Sequence, residues 1–276
     1  MIRLLGENDR DDALAFLDRD HELNLVMIYD IIHFGLEDGG LPFQGRYYGT
    51  FREGKLGGMA AHFNLGSLFI YTPDPDLAPE LEEHIAGLED KPRFVIGRTE
   101  WAGPLLRKLD DRGYKPRGLE EQEYMVLTPE RFRPRPRSDA RFAEPGDLER
   151  LIELNRGFQL EYFGELTAAE EELGKMADVR MRDSGIAVVV VDGEIVSKAE
   201  IMVRTSKAAL IGGVFTAPEH RGKGFSFACM SLLCEGILAG IGMACLNVAN
   251  ENGPAQRVYR GIGFEKICDY SMAHFA

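Results

Sequence analysis

Arg221-Gly222-Lys223-Gly224-Phe225-Ser226 holds the residue types that could grip an anion. It follows a strand-like apolar run from Ala208 to Phe215, which ends at Thr216-Ala217-Pro218. It precedes a helical pattern with Phe227, Met230, Leu233 and Leu238 on one side. The first backbone N–H groups of a helix have no partner inside it, and the macrodipole adds partial positive charge there. Glycines let the backbone close on a phosphate at such an end, and an arginine adds a charge-assisted hydrogen bond. The expectation is a diphosphate seat, provided the helix begins near Gly222. The Walker template fails, because Lys223 is followed by Gly224 and Ala217 stands where its first glycine belongs. The dinucleotide fingerprint is weak, because Phe227 occupies its third glycine position.

A third template, Arg/Gln-x-x-Gly-x-Gly/Ala after a strand, matches Arg221 to Ser226, with Ser226 as the small last residue. This is the coenzyme A motif of the GNAT (GCN5-related) N-acetyltransferases, which the segment resembles. A second match lies downstream. Met243 to Ala249 reads as a buried strand, followed by Asn252-x-x-Ala255-x-x-x-Tyr259 and Gly261-Ile262-Gly263-Phe264. That pattern is similar to the second half of the same family's acetyl-CoA site. The competing reading is a structural strand-loop-helix with incidental glycines.

The resemblance implies acetyl transfer from acetyl-CoA to an amine by direct attack in a ternary complex. Such chemistry holds the thioester beside the amine, stabilises an oxyanion and protonates a departing thiolate. It implies that a bulged strand presents the backbone of Val214, Phe215 and Thr216 to the pantetheine arm and acyl carbonyl. Gly212-Gly213 suits a bulge, although strand glycines also relieve packing. It implies that Arg221, Gly222, Lys223, Gly224, Phe225 and Ser226 bind the diphosphate, and that Tyr259 protonates the thiolate. A packed aromatic is the other reading of Tyr259. Asn252 contacts the CoA arm or caps a helix. Many members carry a glutamate at the start of the site strand, and here that region is Lys207-Ala208-Ala209. The base therefore stays open between Glu200, Glu161, Glu165 and water. Glu200 shares a strand face with Lys198 and Met202, and a solvent-facing residue is its plain alternative. His220 reads as a loop histidine near CoA.

These residues need elements to position them. The hydrophobic pattern gives helix, helix, hairpin, strand, helix, strand, helix, strand twice over, with hairpin turns at Glu53-Gly54 and Asp192-Gly193. Between the copies, Thr128 to Arg137 holds three prolines and four arginines and reads as a solvated linker. The predicted fold class is α/β with a mixed sheet, arranged as two tandem GNAT-like domains. Residues 1–127 form a degenerate copy, 128–138 the linker and 139–276 the catalytic copy. In the first copy Pro73-Asp74-Pro75-Asp76 replaces the glycine loop, and its acids would repel a diphosphate.

The chain has 276 residues, 45% of them hydrophobic, and a net charge of -13. The charge argues against nucleic acid as a partner and fits a cationic small-molecule or peptide amine. Cys229, Cys234, Cys245 and Cys268 form no CxxC pair and have no histidine at ligand spacing, so no metal is expected. They read as buried reduced thiols. No apolar run approaches the roughly 20 residues that span a bilayer. The first residues turn acidic at once, unlike a signal peptide. The expectation is a cytoplasmic protein without a membrane partner, its oligomeric state open, a homo-oligomer included. The other functions in play are an acyl-CoA sensor without turnover and a transferase using another acyl donor.

Overall fold

The computed structural model describes residues 1–135, 140–164, 166, 170–182 and 185–275. The first part of the chain runs β1 (Ile2–Leu4), α1 (Arg10–Leu17), α2 (Leu25–Phe34), β2 (Gly45–Arg52), β3 (Lys55–Phe63) and β4 (Ser67–Tyr71). It continues through α3 (Ala78–Gly87), β5 (Phe94–Arg98), α4 (Thr99–Asp111) and β6 (Gly118–Leu127). The second part runs β7 (Ala140–Phe142), α5 (Leu148–Phe163), α6 (Glu170–Arg182), β8 (Ile186–Val191), β9 (Glu194–Arg204) and β10 (Ala209–Thr216). It closes with α7 (Phe225–Gly240), β11 (Ala244–Ala249), α8 (Gly253–Ile262) and β12 (Glu265–His274). The α/β class with mixed strand pairing is as the pattern indicates, and β1 is an addition to it.

The chain packs as two compact units. One holds Met1–Tyr124, Asn247–Glu251 and the chain from Lys266 onward; the other holds Met125–Leu246 and Asn252–Glu265. The first unit's strands lie in the order β1-β2-β3-β4-β5-β12-β6. β4 and β5 are parallel, and β12 pairs antiparallel with β5 from Tyr270–Arg98 to His274–Phe94. Thus the last strand of the chain does not stay with the copy that precedes it. The core of this unit gathers Phe16, Leu17, Tyr71, Trp101 and Leu105. Tyr71 Oη donates to Asp20 Oδ2 at 2.6 Å, which satisfies a phenol otherwise sunk in that core.

The second unit orders its strands β11-β10-β9-β8-β7. Asp192 and Gly193 both have positive φ, the twist a two-residue hairpin needs, and they join β8 to β9. β8 reads IAVVVV, a run without alternation, because both its faces are covered. On β9, Ser197 bonds Cys229 of α7, whereas Lys198 lies 5.9 Å over the Phe158 ring of α5. Successive strand residues point to opposite faces, so α7 covers one face and α5 the other. Leu151, Leu154, Ile186, Val188 and Phe215 form the core on the α5 side.

The Pro/Arg stretch is anchored where it is described. Arg133 N donates to Ile262 O at 2.8 Å and Arg135 N to Ser231 Oγ at 2.8 Å. Arg135 also lies over the Phe227 ring at 5.4 Å. Proline removes helical and strand alternatives, and the backbone amides of Arg133 and Arg135 anchor the stretch while Arg131, Arg133 and Arg135 stay exposed, as in a solvated connection. Residues 136–138 of the expected linker lie outside the described residues. Among the described residues no helix is long and apolar enough to cross a membrane.

Candidate active site

The site strand bulges where its glycines predict. Gly212 pairs with Glu200 and Phe215 with Lys198, so Gly213 and Val214 on β10 face the single residue Ala199 on β9. Gly213 has φ +55, a conformation that favours glycine. On its other edge, β10 pairs parallel with β11 at Ala209–Ala244 and Leu210–Cys245, and the registered pairing ends there. The Val214-Phe215-Thr216 segment therefore lies beyond the paired part of that ladder. The Phe215 side chain is buried against α5, 6.4 Å from the Phe158 ring.

After β10 the chain makes a short helical turn at Pro218–His220 and enters the glycine loop. Gly224, with φ +82, is the N-cap of α7, which starts at Phe225. Its N-cap residue, a glycine, has no side chain to bond the leading amides, and its first turn carries no acid. A Cβ built on Gly222 or Gly224 meets nothing within 4 Å, so the space before the loop is open. Arg221 through Gly224 are exposed. Arg221 Nε donates to Thr216 O at 3.0 Å, and its Nη2 donates to Glu161 Oε2 at 2.5 Å. These residues fit a diphosphate: naked amides, glycines that allow close approach, and two cations, Arg221 and Lys223.

The corresponding place in the first unit is filled by its own acids. Before α3, Asp76 N donates to Asp74 Oδ1 at 2.9 Å, and both carboxylates lie within 3.5 Å of Arg52.

Asn252 Oδ1 accepts from Ala255 N at 3.1 Å, which makes it the N-cap of α8. Tyr259, in α8, is 7% exposed, with its ring 6.0 Å from that of Phe264. Burial pushes the Tyr259 phenol well above its ordinary range, and the nearby Cys234 adds to this. The phenol thus holds its proton through the neutral range.

Glu200 is not a solvent-facing strand residue. It is 1% exposed and ion-paired with Lys198 on its own strand face and with Arg180 of α6 at 2.5 Å. Burial alone would raise its carboxyl, but the Lys198 and Arg180 charges outweigh it and hold the group below the ordinary range. Lys198 is fully buried; burial pulls its ammonium down and the Glu200 charge opposes that. Glu161 is exposed and engaged with Arg221. Glu165 lies outside the described residues. No spacing rule in the sequence brings Lys198 and Arg180 together on Glu200. The signal lies in Lys198 and Glu200, opposite charges two apart in the middle of a largely apolar strand, where both point to one face. Among the described residues no cluster of His, Cys, Asp and Glu could hold a metal ion.

The bulged strand, glycine loop and helix are the frame of an acyl-group transferase. Over the full chain the fold is similar to an acetyltransferase of the GNAT family from Colwellia psychrerythraea, at 15% identity, 100% of both chains and TM-score 0.62. It is also similar to a GCN5-related N-acetyltransferase from Sphaerobacter thermophilus, at 19% identity, 99% and 94% coverage and TM-score 0.64. A tandem GNAT protein from the clavulanic acid biosynthesis pathway matches at 15% identity, 99% and 97% coverage and TM-score 0.61. At such identities the likeness is one of fold, here that of tandem GNAT proteins. No curated relative matches the sequence. Residues 148–264 match the family described as Acetyltransferase (GNAT) family, and that segment is a domain of this family.

Proposed function

We propose that the protein is an acetyl-CoA-dependent N-acetyltransferase acting on a primary amine of a small molecule or peptide. Catalysis resides in the second unit, which takes its residues from 125–246 and 252–265, and the first unit lacks a diphosphate loop. The observation that carries this reading is the uncapped, acid-free start of α7 behind Gly222 and Gly224, directly after a bulged strand.

The amides of Phe225 and Ser226, with Arg221, Lys223 and the two glycines, take the diphosphate. The Val214–Thr216 backbone aligns the pantetheine arm and receives the acyl oxygen as charge develops on it. Asn252 supports this end by capping α8, which carries Tyr259. Tyr259 gives its proton to the departing thiolate; its raised pKa keeps that proton in place until the thiolate forms. Glu200 is held by two cations and is a poor proton acceptor; of Glu161, Glu165 and water, we take water as the acceptor of the amine's proton.

Calorimetric titration with CoA tests the site. Wild type is expected to bind, while Arg221→Glu and Gly224→Asp lose binding with the fold kept; wild-type affinity in either variant rejects the assignment. Thiol release with acetyl-CoA and an amine panel tests turnover, and mass spectrometry with labelled acetyl-CoA identifies the acceptor. The pairing of Glu200 lends some support to a second reading, an acyl-CoA sensor, which predicts binding without thiol release. A panel of acyl-CoA thioesters separates acetyl from another donor.

A further inference from the structure

Beneath the bulge lies a buried set of charges that the mechanism above leaves without a task. Lys198 and Glu200 are 0% and 1% exposed, and they pair directly. Arg180 reaches Glu200 Oε2 from α6. A buried ion pair is weak evidence for stability, since apolar residues of similar volume often serve as well. What distinguishes this one is its third partner. Lys198 Nζ donates to Gly213 O at 2.9 Å, and Gly213 is a bulge residue outside the registered ladder. The fit is close. A Cβ on Gly213 would stand 3.1 Å from both Lys198 Nζ and Glu200 Oε1.

The peptide joining Gly213 to Val214 is trans and planar, so its N–H points opposite to its C=O. Drawing the Gly213 carbonyl onto Lys198 turns the Val214 N–H to the other side, away from the ammonium. A cation on the carbonyl also polarises that amide and makes its N–H a stronger donor. Glu200 and Arg180 hold Lys198 in place and make its charge tolerable in a dry site.

We infer that Lys198 is a positioning residue, which sets and polarises the Gly213–Val214 peptide so that the Val214 N–H receives the acyl oxygen. This rests on the proposed acyl-CoA reading of the bulge. Acyl transfer to the amine is unchanged in its atoms and electrons: Lys198 forms and breaks no bond.

The test compares wild type, Lys198→Met and the double variant Lys198→Met/Glu200→Leu. The double variant leaves no unpaired buried carboxylate if the single one folds poorly, and Arg180 can turn to solvent. Three quantities are read: CoA affinity, the 13C carbonyl shift of bound [1-13C]acetyl-CoA, and kcat against KM for acetyl-CoA. The expected result is CoA affinity within about twofold of wild type, a carbonyl shift moved back toward the free value, and kcat lower by roughly 10²-fold with KM nearly unchanged. A folded variant that keeps the wild-type carbonyl shift and kcat overturns the inference. If wild type binds CoA but leaves the acetyl carbonyl unshifted, the bulge does not hold the acyl oxygen, and this inference falls while the diphosphate loop stands. If wild type does not bind CoA, the proposed function falls first and takes this inference with it.

Discussion

Arg221 Nη2 donates to Glu161 Oε2 at 2.5 Å, so the arginine of the glycine loop is tied to the end of α5. Both side chains are roughly half exposed. An arriving diphosphate competes with Glu161 for the same guanidinium. Exposed pairs of this kind contribute about 0.2–1 kcal/mol. Glu161→Gln is therefore expected to bind CoA about 1.5- to 5-fold more tightly by calorimetry. Weaker binding would mean that Glu161 instead holds Arg221 in its working position.

Gly213 carries two constraints at once, a φ of +55 and a space that Lys198 and Glu200 already fill. Gly213→Ala is expected to lower stability by about 1–3 kcal/mol, from backbone strain and crowding together. Chemical denaturation measures this. A variant as stable as wild type would show that the bulge readily adopts another backbone.

Tyr259 sits in a packed aromatic pair, so Tyr259→Phe removes only a hydroxyl and should fold normally. The proposal expects kcat to fall by roughly 10²-fold or more, as for loss of a general acid. Burial favours the neutral phenol in the folded protein, which moves its ionisation upward. The wild-type kcat profile should then show no loss of this acid below pH about 10, the ordinary phenol value. A wild-type alkaline limb near pH 8 that vanishes in Tyr259→Phe would contradict the raised value.

In the first unit, burial pushes the Asp30 carboxyl of α2 up to about 7. An unfolded aspartate titrates near 3.9. Between those values the unfolded chain releases a proton that the folded chain keeps. Stability therefore falls as pH rises from about 4 to about 7, by up to about 4 kcal/mol in total. Asp30→Asn lacks this cost. It should melt above wild type at pH 8, and the advantage should shrink toward pH 4. A lower melting temperature at pH 8 would count against a buried, neutral carboxyl.

Asn252 accepts from Ala255 N at the start of α8, the helix that carries Tyr259. Losing an N-cap costs about 1 kcal/mol. Asn252→Ala should lower the melting temperature modestly and leave CoA affinity near that of wild type. A large loss of affinity with unchanged stability would return Asn252 to the role of a CoA-arm contact.

What the sequence determined by itself is local. The Asp192-Gly193 hairpin, the Gly212-Gly213 bulge, and the start of α7 just after the glycine loop all depend on residues within a few positions of one another. Backbone sterics and hydrogen-bond geometry act over that range, so glycine placement and apolar period expose them. The α/β class followed from the same signals, element by element.

The tertiary structure decided what joins distant positions. β12 could close either copy by its own pattern, and its pairing with β5 is fixed by register across more than 160 residues of chain. Its sequence position suits Glu200 equally to solvent or to the site, because strand alternation names a face without saying what covers it. The packing of α5 and α6 on that face turned it into the partner of Lys198 and Arg180. Likewise, no spacing rule links Arg221 to Glu161. The free energy of such contacts depends on burial and on charges brought together from far along the chain, and only the folded molecule sets those.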